Sequence, residues 1–256
     1  MYWVASPLAY VRHNSMICTK FPADEKECHN HMAIRMNWWR WTMIAGIGVI
    51  IVMLSFGTIP NMKGCSSGDP IFALEMVRSP AEVAALFPTH CRALHAQAQR
   101  IGLWIDIGIF VWTYSAFLIC GLLGLRIEGG PLARRLAVCG LLGVLAAAAA
   151  DQFENVQLLR LLDALPGDQS MIDALYPAPR IKFALLGLTT MLAGALHLAQ
   201  PAWRKVVGAA ALSGGLWSVV GLFANLHWVL RGSVIGWGAL LIAALILSLR
   251  AERSLN

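Results

Sequence analysis

Two acids, an asparagine and two glutamines interrupt one of the most apolar stretches of the chain, "AAAAADQFENVQLL" at residues 146–159. On a helix Asp151, Glu154, Asn155 and Leu158 stand at i, i+3, i+4 and i+7, so they share a face. A charged residue inside an apolar helix turns that face toward the interior of a bundle. Carboxyls placed there can ligate a cation, accept hydrogen bonds from a polar solute or headgroup, or exchange protons.

Other segments carry polar groups of matching character. In "RIGLWIDIGIFVWTY" Asp106 is followed by Phe110 and Tyr114 on one stripe, "PAPRIKFALLGL" places Lys182 one turn into a helix, and "FANLHWVLR" holds Asn225 and His227. Asp106, Tyr114, Asp151, Glu154, Asn155, Lys182 and His227 are thus the expected ligand-binding polar layer. Three acids against one lysine leave excess negative charge. Burying a surplus carboxylate is costly unless a proton, water or ligand cation compensates it. A buried ion-pair network that merely pins helices is the simpler account of the same residues.

The elements that must position these groups are membrane helices. Of 256 residues 58% are apolar and 13% charged, and the mean hydropathy is +0.63, far from a soluble average. A crossing needs about 20 mostly apolar residues in a helix, which alone satisfies the backbone in hydrocarbon. Six stretches qualify, near 41–59, 101–125, 136–160, 181–200, 206–229 and 233–249. The expected fold is an all-α polytopic membrane helix bundle, one domain over 36–256. Counting about 1.5 Å per residue from Arg135, Asp151 lies roughly 24 Å and Glu154 roughly 28 Å along the third span, near its far end.

Basic residues near span ends mark the cytoplasmic side. Arg35, Arg40, Arg126, Arg134, Arg135, Arg204, Lys205, Arg250 and Arg253 face only Glu128 and Glu252 on one side, while acids and bases nearly balance on the other. Both termini are therefore expected in the cytoplasm, and the polar layer in the outer leaflet. The net charge of +6 is a topology signal, not an argument for nucleic acid.

Residues 1–35 differ from the rest and are read as a disordered tail, or as sequence upstream of a true start at Met32 or Met36. They lack signal-peptide architecture. "CHNH" at 28–31 has no second ligand pair and marks no metal site. Between the first two spans, 60–100 forms an expected extracytoplasmic loop with helical pieces. In "SPAEVAALFP" Ser79 caps, Pro80 suits the first turn and Glu82 completes a capping box. Phe72, Met76 and Leu86 are available to lie on the membrane surface. Cys65 and Cys91 fall in this loop, where they either form a disulfide or remain two free thiols. A His90, Cys91 and His95 metal cluster is disfavoured, because spacing of five puts the histidines out of register.

No nucleophile elbow, HExxH or paired-Asp motif is present. His197 and His227 lie at different depths, which argues against a bis-His haem, and no cofactor is expected. Tryptophans at span ends, such as Trp38, Trp39, Trp203 and Trp228, form an ordinary interfacial belt.

Taken together, "FALEMVRSPAEVAALF", "DIGIFVWTY", "DQFENVQLLRLL" and "RIKFALLGL" resemble a group of small bacterial integral membrane proteins to which no activity is assigned. The resemblance covers roughly residues 70 to 190. It implies a bacterial inner-membrane setting and a polar layer that adds Glu75 to Asp106, Tyr114, Asp151, Glu154, Asn155 and Lys182. The resulting expectation is a protein that binds or moves a small solute, a cation or a lipid headgroup. An enzyme using a carboxyl as acid or base on a lipid, and a structural accessory subunit, are the alternatives.

Overall fold

The computed structural model describes residues 25–60, 70–224 and 226–253, with side chains over 38–60, 73–224 and 228–250. Among them every regular element is helical. The first helix, α1 (Glu25–Phe56), already includes residues 25–35 of the segment assigned on sequence to the tail. Two short helices follow, α2 (Pro70–Glu75) and α3 (Pro80–Leu86). The next rod consists of α4 (Arg92–Ile105), a π turn (Asp106–Phe110) and α5 (Val111–Glu128). Then come α6 (Pro131–Asp163), α7 (Gln169–Leu175), α8 (Pro177–Leu198), α9 (Ala202–Ala224) and α10 (Leu226–Arg253).

Six of these units are long and apolar enough to cross a membrane: Trp38–Phe56, Arg92–Glu128, Pro131–Asp163, Gln169–Leu198, Ala202–Ala224 and Trp228–Arg250. The second starts well before the expected 101, so the connecting loop ends near Cys91 and not at Arg100. Arg92, Gln97 and Arg100 had masked the start, although a helix longer than the hydrocarbon core carries such residues at its end. His227 sits at the start of α10, not on the fifth span as expected. No proline separates α9 from α10 in the sequence, and Gly221 lets the two helices approach closely, a Cβ there falling 2.6 Å from the Val229 nitrogen.

The spans close into a ring. Packing runs α1 to α5, α5 to α6, α6 to α8, α8 to α9, α9 to α10, and α10 back to α1. Short links enforce this order: Gly129 and Gly130 precede Pro131, which occupies the first turn of α6, a position where its missing N–H costs nothing. Ile47, Ile51 and Leu54 on α1, Leu142 and Leu145 on α6, and Phe223 on α9 are exposed, as lipid-facing residues are when hydrocarbon replaces water. A second apolar cluster at one end joins Leu74, Val77, Val83 and Phe87 of the 57–91 connection to Leu161 of α6 and Ile172 of α7. Residues 74–87 therefore pack on the span ends. Leu86 contributes to this cluster, which corrects the expectation that it lies on the membrane surface. Ser79 caps α3 through the Glu82 N–H, while the Glu82 carboxylate accepts from Arg78 N at 2.8 Å.

Small residues set the closest approaches. At Gly214 a Cβ would stand 2.5 Å from both the Gly232 oxygen and the Gly236 nitrogen, whereas at Gly238 it would meet nothing within 4 Å. Overpacking against backbone costs roughly 1–3 kcal/mol. Gly214→Ala is therefore expected to lower the melting temperature in detergent, and Gly238→Ala to leave it in place. Equal melting of the two variants would refute the α9–α10 contact.

Candidate functional site

The polar face of α6 meets its partners at the end of the bundle that carries the 57–91 connection. Asp151, Glu154 and Asn155 are all buried there. Lys182 reaches them because α7 and α8 meet at Tyr176 and Pro177 opens α8, which places the lysine inside the ring and only 4% exposed. Its Nζ lies 3.2 Å from Asp151 Oδ1, 2.9 Å from Glu154 Oε2 and 3.4 Å from Glu75 Oε1. It donates hydrogen bonds to Asp151 Oδ1 and, at 3.0 Å, to Glu154 Oε1.

The rod α4–α5 supplies the remaining groups. The Tyr114 hydroxyl donates to Asp151 Oδ2 at 2.9 Å, and Asn155 Nδ2 donates to Asp106 Oδ2 at 2.8 Å. Two ordinary α turns hold about 7.2 residues, so positions eight apart drift around a straight helix. The π turn that starts at Asp106 takes up an extra residue, and two turns then span Asp106 to Tyr114. Gln152 of α6 donates to the Ile107 carbonyl at 3.0 Å, satisfying an acceptor in the irregular turn. Tyr114 is held by Phe110 and Trp237, with ring centroids at 5.5 and 5.8 Å.

Glu75, the last residue of α2, enters from outside the spans. Burial pushes its carboxyl above the ordinary glutamate range, and the Lys182 ammonium opposes that shift. Three acids thus contact one ammonium, and a fourth, the half-buried Asp106, joins the group at its edge through Asn155. The structure brings together Glu75, Asp106, Tyr114, Asp151, Glu154, Asn155 and Lys182. Asn225 and the side chain of His227 lie outside the described residues. Cys91 is disulfide-bonded, so it offers no thiolate beside His90 and His95; Cys65 lies outside the described residues.

A second buried polar group, not anticipated from sequence, sits at the opposite end. Arg204 of α9 is 3% exposed. It pairs through Nη1 with Glu128 Oε2 and donates from Nε to His197 Nδ1 at 3.0 Å. Trp39 Nε1 donates to Glu128 Oε1 at 2.9 Å, and the Arg204 guanidinium lies 5.4 Å from the Trp39 ring centroid. Glu128 and Arg204 had been counted as solvated topology charges. The spacing of His197, Pro201 and Arg204 around a turn was the available signal.

Comparison with protein-family models, with curated proteins and with solved structures finds no match. The geometry of the two clusters therefore carries the functional argument for this all-helical, multi-pass chain.

Proposed function

We propose that the Glu75, Asp106, Asp151, Glu154 and Lys182 cluster binds a small solute, a cation or a lipid headgroup from the outer leaflet, and that the protein moves or presents it there. One observation carries this reading: three carboxyls from α2 and α6 contact a single ammonium, and a fourth, Asp106 of the π turn, joins them through Asn155. A purely structural network would match its charges, because an unmatched buried carboxylate costs several kcal/mol. An excess of acids is what a site that accepts positive charge needs. The half-buried Asp106 at the π turn gives the cluster an edge toward the surroundings.

The basic residues near Arg126, Arg134, Arg135 and Lys205 support an orientation with both termini in the cytoplasm. The contact of Lys182 with three carboxyls favours one second reading, a pin holding α6, α8 and the 57–91 connection together.

Melting of the purified protein, screened against ions, lipids and metabolites, separates the two readings. A ligand present at 100 times its Kd adds about 2.7 kcal/mol through mass action. Asp151→Asn is expected to abolish that gain, and to abolish uptake of the same solute into proteoliposomes, while changing the unliganded melting far less. If no compound shifts melting, and Asp151→Asn rescues a deletion strain fully, the pin is the better account.

A further inference from the structure

The second oxygens of two buried carboxyls point to what already occupies the cluster. An ammonium has three hydrogens, and Lys182 Nζ meets three carboxyls, those of Asp151, Glu154 and Glu75. The other oxygen of Asp151 takes the Tyr114 hydroxyl. Glu75 Oε2 and Glu154 Oε2 remain. Both are buried and neither receives a hydrogen bond; the approach of Lys182 Nζ to Glu154 Oε2 is an ion-pair contact, its hydrogen bond going to Oε1. Yet Glu75 and Glu154 both meet the same Lys182 Nζ, at 3.4 and 2.9 Å, so the two buried carboxyls stand side by side. Ionised carboxylates only accept hydrogen bonds, and two of them in contact repel strongly away from water. One proton shared by the pair removes that repulsion and supplies the donor that the leftover oxygens lack.

We propose that Glu75 and Glu154 hold a single proton between them, and that this proton is the exchangeable occupant of the site, replaced one for one by a small monovalent cation. The inference rests on the ligand-binding reading above and names its substrate class. Charge decides the class. A buried site resists any change in its net charge, so loss of the proton calls for one positive charge in return. A neutral solute or an anion would leave two facing carboxylates uncompensated, and a divalent ion would add a charge that Lys182 already supplies. The titratable groups facing the pair are Lys182 from α8, Asp151 from α6, Asp106 from the π turn and Tyr114 from α5. Among the described residues, Lys182 is the cation that faces the pair.

Infrared spectroscopy on the full chain in detergent tests this directly. At neutral pH the wild type is expected to show the carbonyl stretch of a protonated carboxyl, shifted in heavy water. The band should vanish in Glu75→Gln and in Glu154→Gln, whose amides supply the missing donor and so preserve the packing. Sodium or potassium chloride, titrated against choline chloride at constant ionic strength, should erase the wild-type band and release about one proton per chain, as binding at a protonated ligand set does. A wild type without the band, or a band that survives both substitutions, overturns the shared proton and leaves the ligand reading to the melting screen. A band indifferent to both cations overturns the exchange. Should either variant fail to fold, the wild-type heavy-water shift and cation titration still decide.

Discussion

Lys182→Met is expected to be the most damaging single substitution in the membrane part of the chain. Methionine keeps the unbranched stem beside Phe183, whose ring lies 4.6 Å from Nζ, but removes the ammonium in contact with Asp151, Glu154 and Glu75. Breaking a buried ion pair by deleting one partner costs about 3–5 kcal/mol, because the charge left behind is neither solvated nor matched. That is a large share of the stability of most domains, typically about 5–15 kcal/mol. The purified variant should melt far below wild type or fail to purify as a single species. Adding Asp151→Asn should recover part of the loss, since it removes one orphaned acid while an amide can still hydrogen-bond Tyr114. Thermal unfolding of the single and double variants in one detergent measures this. A single-variant loss below about 1 kcal/mol, the size of an exposed pair, would mean that water already solvates the acids, and the premise of a dry cluster would fall.

The cluster is partly visible in the sequence, and the visible part follows from helix geometry. Asp151, Glu154 and Asn155 lie on one face whatever surrounds them, since spacing alone fixes that. Lys182, one turn into an apolar helix, carries a comparable signal. Asp106 and Tyr114 were placed on one stripe by their spacing, but a straight helix would let positions eight apart drift, and the π turn that corrects it is announced by nothing in "DIGIFVWTY". Glu75 sits in the connection between spans, where no periodicity assigns an inward face, and only the resemblance to other membrane proteins singled it out. Its burial depends on Leu74 and Val77 docking into the apolar cluster formed with α6 and α7, a tertiary event. The six spans were legible because hydrocarbon imposes their length and composition. Their ends were less so: polar residues at 92–100 and the unmarked break between the fifth and sixth spans shift two boundaries, where a longer rod or a later helix start satisfies the same apolar pattern.

The Glu128 and Arg204 pair was misread for a related reason. Charges within a few residues of a span end ordinarily solvate, and a count of basic residues treats them so. Here Trp39 from α1, Glu128 from α5, His197 from α8 and Arg204 from α9 converge, joining four helices at the end remote from Lys182. Arg204→Met should cost about 3–5 kcal/mol, because it strips the buried Glu128 carboxylate of its cation. Glu128→Gln should cost less, since the amide still accepts from Trp39 and the guanidinium keeps His197. If the pair is a clasp, the double variant should be more stable than Arg204→Met alone, and the cycle should return a coupling of about 0.5–3 kcal/mol. The clasp and the Lys182 cluster lie at opposite ends of α8, at His197 and Lys182, so Glu128→Gln and Asp151→Asn are expected to add within about 0.3–0.5 kcal/mol. By the same logic Glu128→Gln should leave intact any ligand-induced rise in melting that Asp151→Asn removes. Loss of that rise in Glu128→Gln would show that the two ends are coupled, and would turn the clasp from a fastening of four helices into part of the path by which the solute leaves.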